Sequence, residues 1–171
     1  MNIIEMLLTE LEQEAQITRK MLAIVPNDKF DWQPHPKSMT LRQLATHIAE
    51  LPGWIAMGLT TDELDFASNP YQPEEINDTT ALLAYFEKSY TNGHAHLAAT
   101  SETVLQEKWI LRNGDQILME MNKAGIVRIA MSQTIHHRAQ LGVDLRLLNI
   151  PIPGSYGPSA DELEARVLEQ A

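Results

Sequence analysis

Apolar and polar residues follow a helical period along most of this chain. Ile4, Leu7, Leu8, Leu11, Ala15, Leu22 and Val25 share one face of a helix predicted from about Asn2 to Val25, and Pro26 follows its end. A second helix opens at Thr40, where Thr40 and Gln43 form a capping box, and turns Leu44, His47, Ile48, Leu51, Trp54 and Ile55 towards a core. Pro52 falls inside this pattern and predicts a kink that frees the Ile48 carbonyl. A third helix, from about Thr79 to Thr100, faces Leu82, Leu83, Phe86, Tyr90 and Leu97 inward. Asn92-Gly93 weakens it, since glycine costs about 1 kcal/mol against alanine in a helix interior. The fourth and longest pattern runs from about Lys123 to Leu148, with Ile126, Ala130, Gln133, His137, Leu141, Leu145 and Leu148 on one face.

The connecting segments read differently. Between Trp109 and Met121, Asn113-Gly114 stands between short apolar stretches, a hairpin signal. After the fourth helix, residues 149–158 are rich in proline and glycine and read as extended chain and turns. Ser159 and Glu162 form another capping box and open a short C-terminal helix. Four long helices joined by modest loops predict an all-α fold, a four-helix bundle in a single domain spanning residues 1–171.

Composition narrows the function. The formal charge of -10, with only 13 scattered Lys and Arg, argues against nucleic acid as a partner. No apolar run is long enough to span a membrane, and the N-terminus lacks a leader pattern, so the expected location is cytoplasmic. The chain has no cysteine, which removes a protein thiol as nucleophile or zinc ligand.

Candidate chemistry lies on the fourth helix. Gln133 and His137 are four residues apart and stack on one face, in the middle of a stripe that should be buried. Buried polar groups are costly unless hydrogen-bonded or metal-bound, so this is either a satisfied polar layer or a site. His47 lies on the core-facing stripe of the second helix, and three groups from two helices would then converge, as at a catalytic metal centre with open positions. The competing reading makes His47 and His137 core histidines bonded to neighbouring groups. Glu50 lies three residues after His47, where it would orient the imidazole or act as a general base, or simply be a solvated carboxylate. His136 should point off this face; Arg138 and Arg146 read as ion-pair partners, and Trp32, Trp54 and Trp109 as packing anchors.

Four segments together resemble the DinB/YfiT-like family: Trp32-Gln-Pro-His-Pro-Lys-Ser-Met-Thr40, Leu44-Ala-Thr-His-Ile-Ala-Glu50, His136-His-Arg-Ala-Gln-Leu141 and Tyr156-Gly-Pro-Ser-Ala-Asp161. The resemblance covers nearly the whole chain in order. It implies an up-down-down-up four-helix bundle, commonly a homodimer, holding zinc or nickel through three histidines. His47 and His137 match two of them; Gln133 stands where the family pattern has the third. A glutamine oxygen is a weaker donor than imidazole to these metals. The implied function is that of a thiol-dependent S-transferase or a hydrolase, in which the metal activates a low-molecular-weight thiol or water against a small-molecule substrate. The alternative, favoured by Gln133, is a metal-free homodimeric bundle that binds a small ligand or partner without catalysis.

Overall fold

The computed structural model describes residues 2–169. The long helices are α1 (Ile3–Leu22), α2 (Leu41–Thr60), α3 (Thr79–Ala99) and α5 (Lys123–Leu147), joined by a short α4 (Glu102–Leu105) and followed by α6 (Ala160–Glu169). The capping boxes do their expected work. Thr40 Oγ1 accepts from the Gln43 amide at α2, and Ser159 and Glu162 exchange bonds at α6.

Packing gives the topology. α1 packs against α3 and α5, and α2 packs against the same two, so α1 and α2 occupy opposite corners. Contacts between residues fix the directions. Arg19 pairs with Glu87 and Thr79 bonds the Val25 carbonyl, so α3 runs against α1. Gly53 lies by Ser89, while Ile55, Leu59 and Leu97 share one cluster, so α2 and α3 run parallel. Arg128 reaches Glu10, Arg138 reaches Glu14 and Gly142 lies by Met21, so α5 runs with α1. The bundle is therefore up-down-down-up, and the 61–78 connection returns the chain along its length.

α3 continues through Asn92-Gly93 despite glycine's low propensity. The reason is close approach: a Cβ at Gly93 would stand 2.1 Å from the Pro52 carbonyl oxygen of α2. α2 itself runs through Pro52 to Thr60 as one helix.

The expected hairpin is present. β2 (Lys108–Asn113) and β3 (Gln116–Asn122) pair antiparallel, with Asn113 opposite Gln116. The two-residue loop is Gly114-Asp115, one position later than the Asn-Gly signal, and Gly114 takes the positive φ of 60°. A third strand, β1 (Glu63–Asp65), pairs parallel with β2 and was not visible in the sequence pattern. Its Asp65 carboxylate accepts from the backbone of Gly114 and Ala67 and from Ser68. These bonds, with Arg112 nearby, hold its pKa below the ordinary range. Hairpin and α2–α3 connection are tied together there.

Two apolar clusters fill the bundle. One gathers Leu22, Phe30, Leu41, Ile48, Phe86 and Leu145; the other gathers Leu7, Leu11, Ile55, Leu97, Val127 and Met131. Among the described residues no helix is long and apolar enough to cross a membrane.

Candidate functional site

Polar side chains occupy the level between the two clusters. On the α1 side Arg138 is buried at 2% exposure. It bonds the Glu14 carbonyl at 3.2 Å, Thr18 Oγ1 at 3.0 Å and the Tyr156 hydroxyl at 3.0 Å. Glu14 Oε2 lies 2.6 Å from its guanidinium as an ion pair outside hydrogen-bond geometry, while Tyr156 donates to Oε1 at 2.9 Å. This half is a closed, ion-paired polar layer, and Arg138 is the inter-helix partner its sequence position suggests.

On the α2 side the layer opens. His47 and His137 meet with ring centres 4.7 Å apart and planes at 75°. His47 Nδ1 donates to Glu50 Oε1 at 2.6 Å, because an ionised carboxylate can only accept. His137 Nδ1 donates to Gln140 Oε1 at 2.7 Å. Each ring is thus fixed by an acceptor three residues later on its own helix, and among the described residues Nε2 of neither ring has a hydrogen-bond partner. Burial pushes the His137 pKa down, with His47 and His136 acting the same way against the Gln140 bond. Neutral imidazoles with bonded Nδ1–H groups are the form that binds metals.

Glu50 is buried, not the solvated carboxylate of the simpler reading. Its two oxygens also accept from the Tyr71 hydroxyl at 2.9 and 3.0 Å. Burial and the Glu50 charge raise the Tyr71 pKa, so it remains a neutral donor. Tyr71 comes from the α2–α3 connection and carries no periodic signal, so the sequence offered no means of finding it. Gln140 was findable, since His137 and Gln140 repeat the spacing of His47 and Glu50.

A cavity of about 600 Å³ opens over the pair, lined by Met39, Gln43, His47, Trp54, Phe66, Tyr71, Pro73 and His137. Trp54 meets the His47 ring edge-on with centres 5.6 Å apart, so this tryptophan is a wall of the cavity as well as a packing anchor. Gln133 lies one turn before His137 and lines a neighbouring cavity of about 280 Å³ with Trp54, Phe66 and Tyr71. His136 is exposed, and its ring touches that of His137 at 4.9 Å. Trp109 is buried and donates to Thr61 Oγ1, a packing anchor as its position suggests.

The donor set can be tested against a divalent cation. With Zn–N near 2.0–2.1 Å, and the ring centre about 1.1 Å behind the nitrogen, two imidazoles on one ion have centres roughly 4.5–5.2 Å apart at angles of about 90–110°. The observed 4.7 Å fits. Among the described residues no group of three or more His, Asp or Glu side chains suited to a metal is present. The spacing of the two rings is thus that of imidazoles sharing a cation, and a third His, Asp or Glu ligand is absent among the described residues.

Comparison with known proteins places the fold. Residues 1–170 match the model of the DinB family. A DinB-like protein of Bacillus subtilis, YjoA, has a similar solved structure, with a TM-score of 0.68 and 17% identity over 88% of this chain and 96% of that one. YfiT from Bacillus subtilis is described as a probable metal-dependent hydrolase with an unusual four-helix bundle topology. It is similar at a TM-score of 0.65 and 13% identity, covering 86% of this chain and 89% of its own. A mycothiol-dependent maleylpyruvate isomerase is similar at a TM-score of 0.60 and 15% identity, over 82% of this chain and 61% of the isomerase.

Proposed function

The chain belongs to the DinB family, and we propose that it is a divalent-metal-dependent enzyme acting on a small molecule in the cavity between α2 and α5, of the thiol S-transferase or hydrolase type. The observation that carries this reading is the facing pair His47 and His137, each with Nδ1 engaged and Nε2 free. These two would hold zinc or nickel, with the Gln133 amide oxygen as a weaker third donor. The cation supplies Lewis-acid activation of a low-molecular-weight thiol or a water at neutral pH.

The chain's own residues do the remaining work. Glu50 acts through His47: its negative charge on Nδ1–H makes Nε2 a stronger donor and fixes the ring. Tyr71 holds both Glu50 oxygens and keeps that carboxylate from turning away. Trp54 and Phe66 wall the cavity with apolar surface and restrict water there. YfiT's description supports the metal-dependent class, and the mycothiol-dependent isomerase supports a thiol as the activated group. We also place the protein in the cytoplasm as a homodimer.

The test is elemental analysis of tag-free protein, followed by zinc and nickel titration and a screen of thiols against electrophiles and of ester substrates. One metal per chain is expected. His47→Ala should lose it with helix content unchanged by circular dichroism; a broadly unfolded variant would make His47 a structural residue instead.

A second reading, a metal-free bundle that binds a small ligand, is favoured by Gln133 lining a different cavity from the two histidines. Gln133→His separates the two. Tighter zinc or nickel binding places residue 133 at the metal, whereas an unchanged affinity turns it towards the neighbouring cavity.

A further inference from the structure

The two cavities adjoin and share walls. Trp54, Phe66 and Tyr71 line both. Along α5 the lining passes from His137 in the first to Gln133, Ile129 and Ile126 in the second; along α2 it passes from His47 through Trp54 to Met57. The pair of cavities therefore extends from the histidines towards the hairpin, whose Trp109 and Met121 line the second. That far chamber is almost wholly apolar. Its Trp109 indole N–H is already bonded to Thr61, and its Tyr71 hydroxyl is turned to Glu50. Gln133 is the polar exception and stands one helical turn from His137, at the end nearest the histidines. The chamber's volume of about 280 Å³ exceeds the roughly 150 Å³ at which a dry protein cavity takes up benzene. Methionine adds polarisable walls that adapt to varied apolar shapes.

We infer that the substrate is amphiphilic: its reacting end lies against His47 and His137, and an uncharged alkyl or aryl tail fills the chamber between α2, α5 and the hairpin. This rests on the proposed enzymatic reading for the head of the molecule, whereas the tail site is a property of the apolar chamber itself. A charged or sugar-like tail would lose its hydration there without gaining partners.

The experiment is calorimetric titration of the full chain with straight-chain alcohols from butanol to octanol, with zinc added and withheld. Each added methylene should tighten binding about fourfold until the chamber is filled. Ile129→Trp and, independently, Met57→Trp fill the chamber and should flatten that dependence while circular dichroism stays unchanged. Two variants from different helices keep the test decisive should one fail to fold. Affinities that do not rise with chain length, or a rise that survives in the folded filled variants, would overturn the proposal. Flat affinities accompanied by self-association would assign the chamber to a second copy of the chain, and would overturn it too. A chain-length effect without zinc binding would retain the tail site and remove the metal-dependent reading, so the two failures are distinguishable.

Discussion

Removing the Arg138 guanidinium tests whether the closed half of the polar layer holds the bundle in register. Arg138→Met keeps the volume and apolar stem but deletes an ion pair to Glu14 at 2.6 Å and bonds to the Glu14 carbonyl, Thr18 and Tyr156. Glu14 is 7% exposed, so its charge would be left in the interior with the Tyr156 hydroxyl as its one side-chain donor. Breaking a buried pair from one side costs about 3–5 kcal/mol. For a domain of this length 1 kcal/mol corresponds to roughly 2–4 °C, so Tm should fall by about 6–20 °C. The assay is urea and thermal unfolding followed by circular dichroism. Lys108→Met is the control, because Lys108 pairs with Glu120 on the exposed hairpin and its loss should barely move the midpoint. The double substitution Glu14→Leu with Arg138→Met should recover most of the loss, since an apolar pair of similar size removes the stranded charge. A loss below about 1 kcal/mol for Arg138→Met, or a double variant weaker than the single one, would refute the assignment.

Gly93→Ala should destabilise by about 1–3 kcal/mol in thermal unfolding, although alanine is the better helix former, because its Cβ meets the Pro52 carbonyl oxygen at 2.1 Å; a more stable variant would contradict the close approach. Glu50→Gln should weaken zinc or nickel binding about 10–100-fold with helix content unchanged, read by competition with a chromogenic chelator; an unaltered affinity would detach Glu50 from the function of His47. The metal-free protein should lose stability as pH falls through 6.5, the ordinary histidine value, towards the lower folded pKa of His137. In that window the unfolded chain binds the proton that the native ring resists, so the native state is disfavoured. His137→Gln should flatten this part of the urea-midpoint profile between pH 7.5 and 5.5, and an unchanged slope would assign the effect elsewhere.

The long helices were legible because each buries a stripe whose period survives in the sequence, from Leu7 and Leu11 in α1 to Leu141 and Leu145 in α5. Capping residues such as Thr40 act within four positions, so they too could be read locally. Gly93 was misleading for the opposite reason. Its cost is local, and its benefit, contact with Pro52, lies on another helix. β1 was missed because three residues cannot display a period and their partner is β2, some 45 positions later. Tyr71 was missed because a loop residue reaches its acceptor only after α2 and the following connection have folded.

At the polar level of the bundle α5 serves two sides, a closed ion-paired one and an open one. The layer has to be crossed by every long helix, and α5 presents two neighbouring residues to different partners: Arg138 to α1 and His137 to α2. A step of about 100° between adjacent residues is sufficient to divide them. On the α1 side Glu14, Thr18 and Tyr156 occupy the guanidinium, and that face is closed. On the α2 side, among the described residues, each imidazole is bonded through Nδ1 alone, to Glu50 or Gln140, and the facing space is cavity. The closed side ties α5 to α1 and so fixes where α5 presents His137 to His47. A charge stranded at Glu14 would draw water into the layer, shift α1 against α5 and carry His137 away from His47. Arg138→Met should therefore weaken zinc or nickel binding even in protein kept folded at low temperature, although Arg138 itself faces away from the cavity. Full metal affinity in the folded variant would show that the two halves of the layer are independent.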